Sequence, residues 1–111
     1  MSVLRDFEVR VLRLLVSGLL SAEQLAALIS EGELERYDYS GVGYFLTLRH
    51  QSLPVEGIAC HVPVVSGSAD GVTCGFIAFI EGGRLTIECH TWEEAGIPED
   101  FRDRDVQVTT G

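Results

Sequence analysis

Two dipeptides hold most of the reactive side chains of this sequence. They are Cys60-His61 and Cys89-His90, in a chain with 3 Cys and 3 His. A thiol beside an imidazole suggests two chemistries. Thiolate and imidazole both ligate zinc, and a structural zinc site needs four convergent donors. An imidazole can also activate a thiol nucleophile, provided the two groups come within hydrogen-bond reach. Both chemistries depend on where the backbone aims the side chains. The dipeptides lie in "IACHVPVV" and "RLTIECHTW", which read as strands, and neighbouring residues on a strand point to opposite faces. Unless a bulge intervenes, neither dipeptide can converge on one metal or on one substrate. No metal and no cofactor is expected.

The strand around Cys89 can be placed in register. "VTCGFIAFI" and "RLTIECHTW" flank Gly82-Gly83, a two-residue hairpin signal. With Glu81 opposite Arg84, one face pairs Ile80 with Leu85, Ala78 with Ile87, Phe76 with Cys89 and Cys74 with Thr91. That face is apolar and belongs to the core, so Cys74 and Cys89 act as small hydrophobes. The other face pairs Phe79 with Thr86, Ile77 with Glu88 and Gly75 with His90, and His61 is a further candidate there. Three readings of this second face stay open. An imidazole beside a carboxylate over an apolar floor could be a general base in a pocket, using His90, Glu88 and His61. It could be half of a homodimer interface. It could also be shielded by the C-terminal segment that carries Trp92 and Phe101.

The remaining elements follow from periodicity. In "RDFEVRVLRLLVSGLL" the residues Asp6, Arg10, Arg13 and Ser17 form one polar stripe of a helix, and Phe7, Val11, Leu12, Leu14, Leu15 and Leu19 fill the rest. A second helix begins at Ser21, with Gln24 completing a capping box, and ends at Gly32 as a positive-φ C′ residue. Leu25, Leu28 and Ile29 face inward. Alternation then takes over in "ELERYDYS" and "GYFLTLRH". Pro63 marks an edge or a bulge in the third strand. "SGSADG" reads as a flexible connection. The tail holds one helical turn near Pro98 and then a loose or edge strand. The expected fold is α+β, a single domain over residues 1–111 with a loose C-terminal tail: two N-terminal helices packed on one face of a mostly antiparallel sheet of about five strands.

Composition limits the function. The net charge is −9, and it is uneven. Residues 1–55 carry seven acids against five Arg, and residues 56–111 carry ten against three. Such a surface repels nucleic acid and membranes and favours a basic partner. The second helix bears Glu23, Gln24 and Glu31 where a DNA-reading helix would need cations. The longest apolar run is about half of a membrane span. The odd cysteine count and the acidic start, without a cleavable leader, suggest the cytoplasm. No nucleophile elbow, zinc-protease helix or Walker loop is present. The expected role is therefore a small bacterial protein-binding module, of inhibitor or immunity type, for a basic protein partner. Its contact residues would be Trp92, Glu93, Glu94, Asp100, Phe101 and Asp103. The alternative is a small enzyme or ligand-binding protein using His90 and Glu88.

Overall fold

The computed structural model describes residues 3–110. Two helices, α1 (Asp6–Val16) and α2 (Ala22–Glu31), precede strands β1 (Glu33–Tyr39), β2 (Gly43–Arg49), β3 (Ile58–Ala69), β4 (Val72–Glu81) and β5 (Arg84–His90). A 3-10 turn, Phe101–Asp103, leads to β6 (Gln107–Thr110). The six strands form one sheet in the order β1-β2-β5-β4-β3-β6, and every pairing is antiparallel. The expected α+β class stands, with six strands rather than five.

The helices form as their spacing dictates. Asp6, Arg10, Arg13 and Ser17 are exposed, while Phe7, Val11, Leu12 and Leu15 are buried. Leu19, expected inside, lies past the end of α1 and is exposed. The Ser21 hydroxyl accepts from the Gln24 N–H at 3.0 Å, and the Gln24 side chain accepts from the Ser21 N–H at 2.8 Å, so the capping box is complete. Gly32 caps α2, though not with positive φ. Its φ of −58° and ψ of 135° lead straight into β1. Close approach explains the glycine instead, since a Cβ there would lie 2.4 Å from the Leu28 carbonyl oxygen.

The β4–β5 register is the expected one, from Glu81↔Arg84 through Ile80↔Leu85, Ala78↔Ile87 and Phe76↔Cys89 to Gly75↔His90. Ile80, Leu85, Ala78 and Ile87 are fully buried under the helices, and Phe7 of α1 packs on Phe76 at 6.0 Å between ring centroids. The "SGSADG" segment departs from expectation. Ser66–Ala69 continue β3, and the reversal is confined to Asp70-Gly71, at φ of 51° and 84°. Asp-Gly is among the strongest hairpin signals because both central residues of that turn need positive φ. Pro63 behaves as expected. The β3–β4 register shifts between Cys60 and Val65, and β6 pairs only with Val65–Ser68, so Pro63 lies on unpaired edge.

Of the two forms expected for the tail, the edge strand is the one adopted. Residues 91–106 are tied down first by Ile97, Phe101 and Val106, each at most 2% exposed. The Arg102 guanidinium adds a second tie, to Glu8 in α1.

Candidate interaction site

The helices cover one sheet face and leave the other open. Register assigns Phe45, Thr47 and Arg49 of β2, Ile77 and Phe79 of β4, and Arg84, Thr86, Glu88 and His90 of β5 to the open face. Phe45 and Phe79 are 39% and 40% exposed. Thr47 and Thr86 share a hydrogen bond of 2.9 Å across the middle of the face. Neither Phe45 nor Thr47 of β2 was named as a site residue from the sequence. The signal was present in the alternation of "GYFLTLR", which puts Phe45 opposite the core set Tyr44, Leu46 and Leu48.

Each Cys-His dipeptide is split. Cys89 is buried in the core while the neighbouring His90 is half-buried on the open face. Cys60 is buried and His61 exposed. All three thiols are free. A hydrogen bond with Cys74, followed by burial, pushes the Cys89 thiol well above its ordinary value. Burial alone raises Cys60. Among the described residues no three His, Cys, Asp or Glu side chains converge.

Of the three residues of the enzymatic alternative, two meet. His90 Nδ1 lies 3.5 Å from Glu88 Oε2, beyond hydrogen-bond length, and this buried nitrogen has no hydrogen-bond partner among the described residues. His61 does not join them. The β3 irregularity at residues 60–65 carries it to a crevice beside Leu14, Leu15 and Leu19 at the end of α1. The space that the missing side chain of Gly75 leaves opposite His90 is filled. The Trp92 ring passes 3.8 Å from where a Gly75 Cβ would stand and packs edge-on to His90, with centroids 4.4 Å apart.

Trp92 is nonetheless 83% exposed. Its backbone is fixed on both sides. The Thr91 N–H donates to the Val42 carbonyl at 2.8 Å, and the Thr91 hydroxyl donates to the Thr73 carbonyl at 2.7 Å. The Glu93 N–H donates to the Thr91 Oγ1 at 3.1 Å, and the Ile97 N–H to the Gly41 carbonyl at 2.8 Å. The result is a large indole held out from a rigid support.

The other expected contact residues divide. Glu93 and Glu94 are exposed, and neither makes an ion pair among the described residues. Asp100 pairs with Arg104 at 3.0 Å, and Asp103 pairs with Arg5 at 3.0 Å. Phe101 is only 1% exposed and packs edge-on to Phe7, so it belongs to the core and is no surface anchor. Its flanking acids gave it a surface appearance, but a 3-10 turn aims it inward.

Two polar clusters were not foreseen. Glu8, fully buried, accepts both prongs of Arg102 at 2.7 and 2.8 Å and the Tyr44 hydroxyl at 2.5 Å. Burial pulls the Arg102 pKa down, but the Glu8 hydrogen bonds and charge outweigh it and leave it raised. Tyr44 is pushed far up by burial and by Glu8. The second cluster is Glu31–His50–Ser52. His50 Nε2 lies 3.0 Å from Glu31 Oε1, and Nδ1 lies 2.8 Å from Ser52 Oγ. Those distances resemble a nucleophile relay. However, the Ser52 N–H already donates to Nδ1 at 3.1 Å, and Ser52 does not line the neighbouring crevice of Glu31, His50 and Gln51. The arrangement clamps the turn after β2.

Comparison with known proteins gives no match: no family model, no curated protein and no solved structure is significantly similar to this chain. No described helix is long and apolar enough to cross a membrane.

Proposed function

We propose that this chain is a protein-binding module for a basic partner, of inhibitor or immunity type, with Trp92 as the apolar anchor and Glu93 and Glu94 as its acidic rim. One observation carries the reading: an indole 83% exposed on a backbone pinned at Thr91, Glu93 and Ile97. Interface energy concentrates in aromatic anchors, and a rigid anchor loses little entropy on binding. The acids beside it act on encounter. Unpaired rim carboxylates steer a cationic surface and raise the association rate. Asp100 and Asp103 contribute less, because each is already neutralised by an arginine.

The alternative, a small enzyme or ligand-binding protein, is supported by the lone His90 Nδ1 beside Glu88. The two readings separate by mutation. Trp92→Ala together with Glu93→Arg and Glu94→Arg should abolish capture of a basic protein while Glu88→Gln, which removes the carboxylate of the alternative, leaves it intact. Equal capture by the triple variant and the wild type would refute the binding reading.

A further inference from the structure

We propose that the open sheet face packs against a second copy of this chain, with Trp92 of each copy seated in a depression of the other. This goes beyond the heterologous reading and stands without it.

The first support is shape. Trp92 rises over one end of the β4–β5 pair, at the Gly75↔His90 row. At the opposite end of the same two strands lies a depression of about 420 Å3, lined by Phe79, Glu81, Gly82, Arg84 and Thr86. A knob and a hole at opposite ends of one strand pair are related by a twofold axis. An axis crossing the strands between Thr86 and Glu88 exchanges the Gly75↔His90 row with the Glu81↔Arg84 row. It sets each Trp92 in the partner copy's depression. It also sets Phe79 over Ile77 and Thr47 over Phe45, since those rows are exchanged as well. Such an isologous contact closes on itself as a dimer.

The second support is charge. The chain carries −9, which opposes self-association over most of its surface. The open face opposes it less, because its three arginines, Arg36 of β1 opposite Thr47 among them, are each matched by a carboxylate, and only Glu81 and Glu88 stand there without an arginine among the described residues. Arg36 pairs with Asp38, Arg49 with Glu33 at 3.0 Å and Arg84 with Glu35 at 2.5 Å. The Glu35 hydrogen bond holds Arg84 charged, with its pKa raised. The partner copy's indole would therefore meet a guanidinium, a favourable cation–π contact.

The third support is size. Five strands at ~4.8 Å spacing and seven residues at ~3.4 Å give a projected face of ~570 Å2, hence ~1,100 Å2 for two copies before side-chain relief is added. That falls just short of the lower end of stable interfaces, about 1,200 Å2, and the relief of the side chains supplies the difference, so the dimer is expected to be a weak one. Sheets packed face to face in this way form an ordinary sandwich.

The test is sedimentation velocity on the full chain from about 1 to 500 μM, with the emission of Trp92, the one tryptophan, recorded alongside. The wild type should pass from 12.1 kDa to twice that mass as concentration rises, and its emission should shift to the blue in step. Trp92→Ala removes the knob, and Phe79→Asp spoils the hole. Both residues are exposed, so both variants should keep the far-UV spectrum of the wild type, and both should dimerise at least 100-fold more weakly. A wild type that stays at monomer mass throughout overturns the proposal. So does a dimer that persists unchanged in either variant, or one that forms without a shift in Trp92 emission. Trp92 serves both readings, so a dimer that buries it competes with capture of a basic partner. Capture measured below the dimerising concentration with the Glu93→Arg, Glu94→Arg variant, which leaves the knob and the hole in place, keeps the two separable.

Discussion

Arg102 grips Glu8 through two parallel hydrogen bonds, 2.7 and 2.8 Å long, although 94 residues separate them. Glu8 is fully buried, and its own Oε1 also receives the Arg5 N–H at the start of α1 at 2.8 Å. The pair ties the first helix to the segment that carries Trp92. Removing one partner leaves a buried charge without compensation, which costs about 3–5 kcal/mol. Arg102→Ala should therefore lose that much in urea unfolding, a large share of the ~5–15 kcal/mol of an ordinary domain. Replacing both, as Glu8→Leu with Arg102→Met, should cost less than Arg102→Ala alone. If the double variant is the weaker of the two, the pair adds net stability of its own.

The buried thiols give a pH dependence with a definite sign. The pKa of Cys89 is raised by Cys74 and by burial, and that of Cys60 by burial. A raised thiol favours folding below its unfolded value of about 8.5 and loses that contribution as pH climbs past it. Unfolding free energy should thus fall between about pH 8 and 10, and Tyr44, raised by burial and Glu8, should steepen the fall above pH 10. In the native state at pH 8, iodoacetamide should label no cysteine within minutes, while unfolded chain labels at all three. Fast native labelling of Cys89 would contradict its placement.

Gly43 and Gly18 should respond in opposite ways to alanine. A Cβ on Gly43 would lie 1.8 Å from the Cys89 carbonyl oxygen and force β2 from β5. Gly18 has nothing within 4 Å of the same position. Gly43→Ala should destabilise by about 3 kcal/mol or more, and Gly18→Ala by no more than about 0.5 kcal/mol. Thermal midpoints of the two variants check this directly.

Local chemistry made some of this legible from sequence. The Gly82-Gly83 turn fixed a register, and alternation then placed Cys89 inside and His90 outside without further information. The α1 stripe was equally legible because Asp6, Arg10, Arg13 and Ser17 recur at helical spacing. Glu8 shows the boundary. It stands four residues before Leu12, a carboxylate inside the apolar stripe of α1, and the helical reading passed over it. Its partner was beyond local reasoning, because Arg102 arrives from the far end of the chain. Phe101 was hidden for the same reason. Its neighbours Asp100 and Asp103 look like solvent, and only the fold shows that Phe7 waits beneath it. Asp70-Gly71 was a different kind of miss, since the turn signal was local and the serines and glycine around it obscured a strand.

The central claim, that Trp92, Glu93 and Glu94 engage a basic protein, is tested most directly by association kinetics. A basic protein retained by the wild type is purified and mixed with the wild type, with the Glu93→Arg, Glu94→Arg variant and with Trp92→Ala by stopped flow at 20 to 300 mM salt. Wild-type association should slow steeply with salt, the variant should associate about tenfold more slowly with a flat salt dependence, and Trp92→Ala should act mainly by speeding dissociation. Rates and salt slopes that coincide for wild type and variant would contradict the claim.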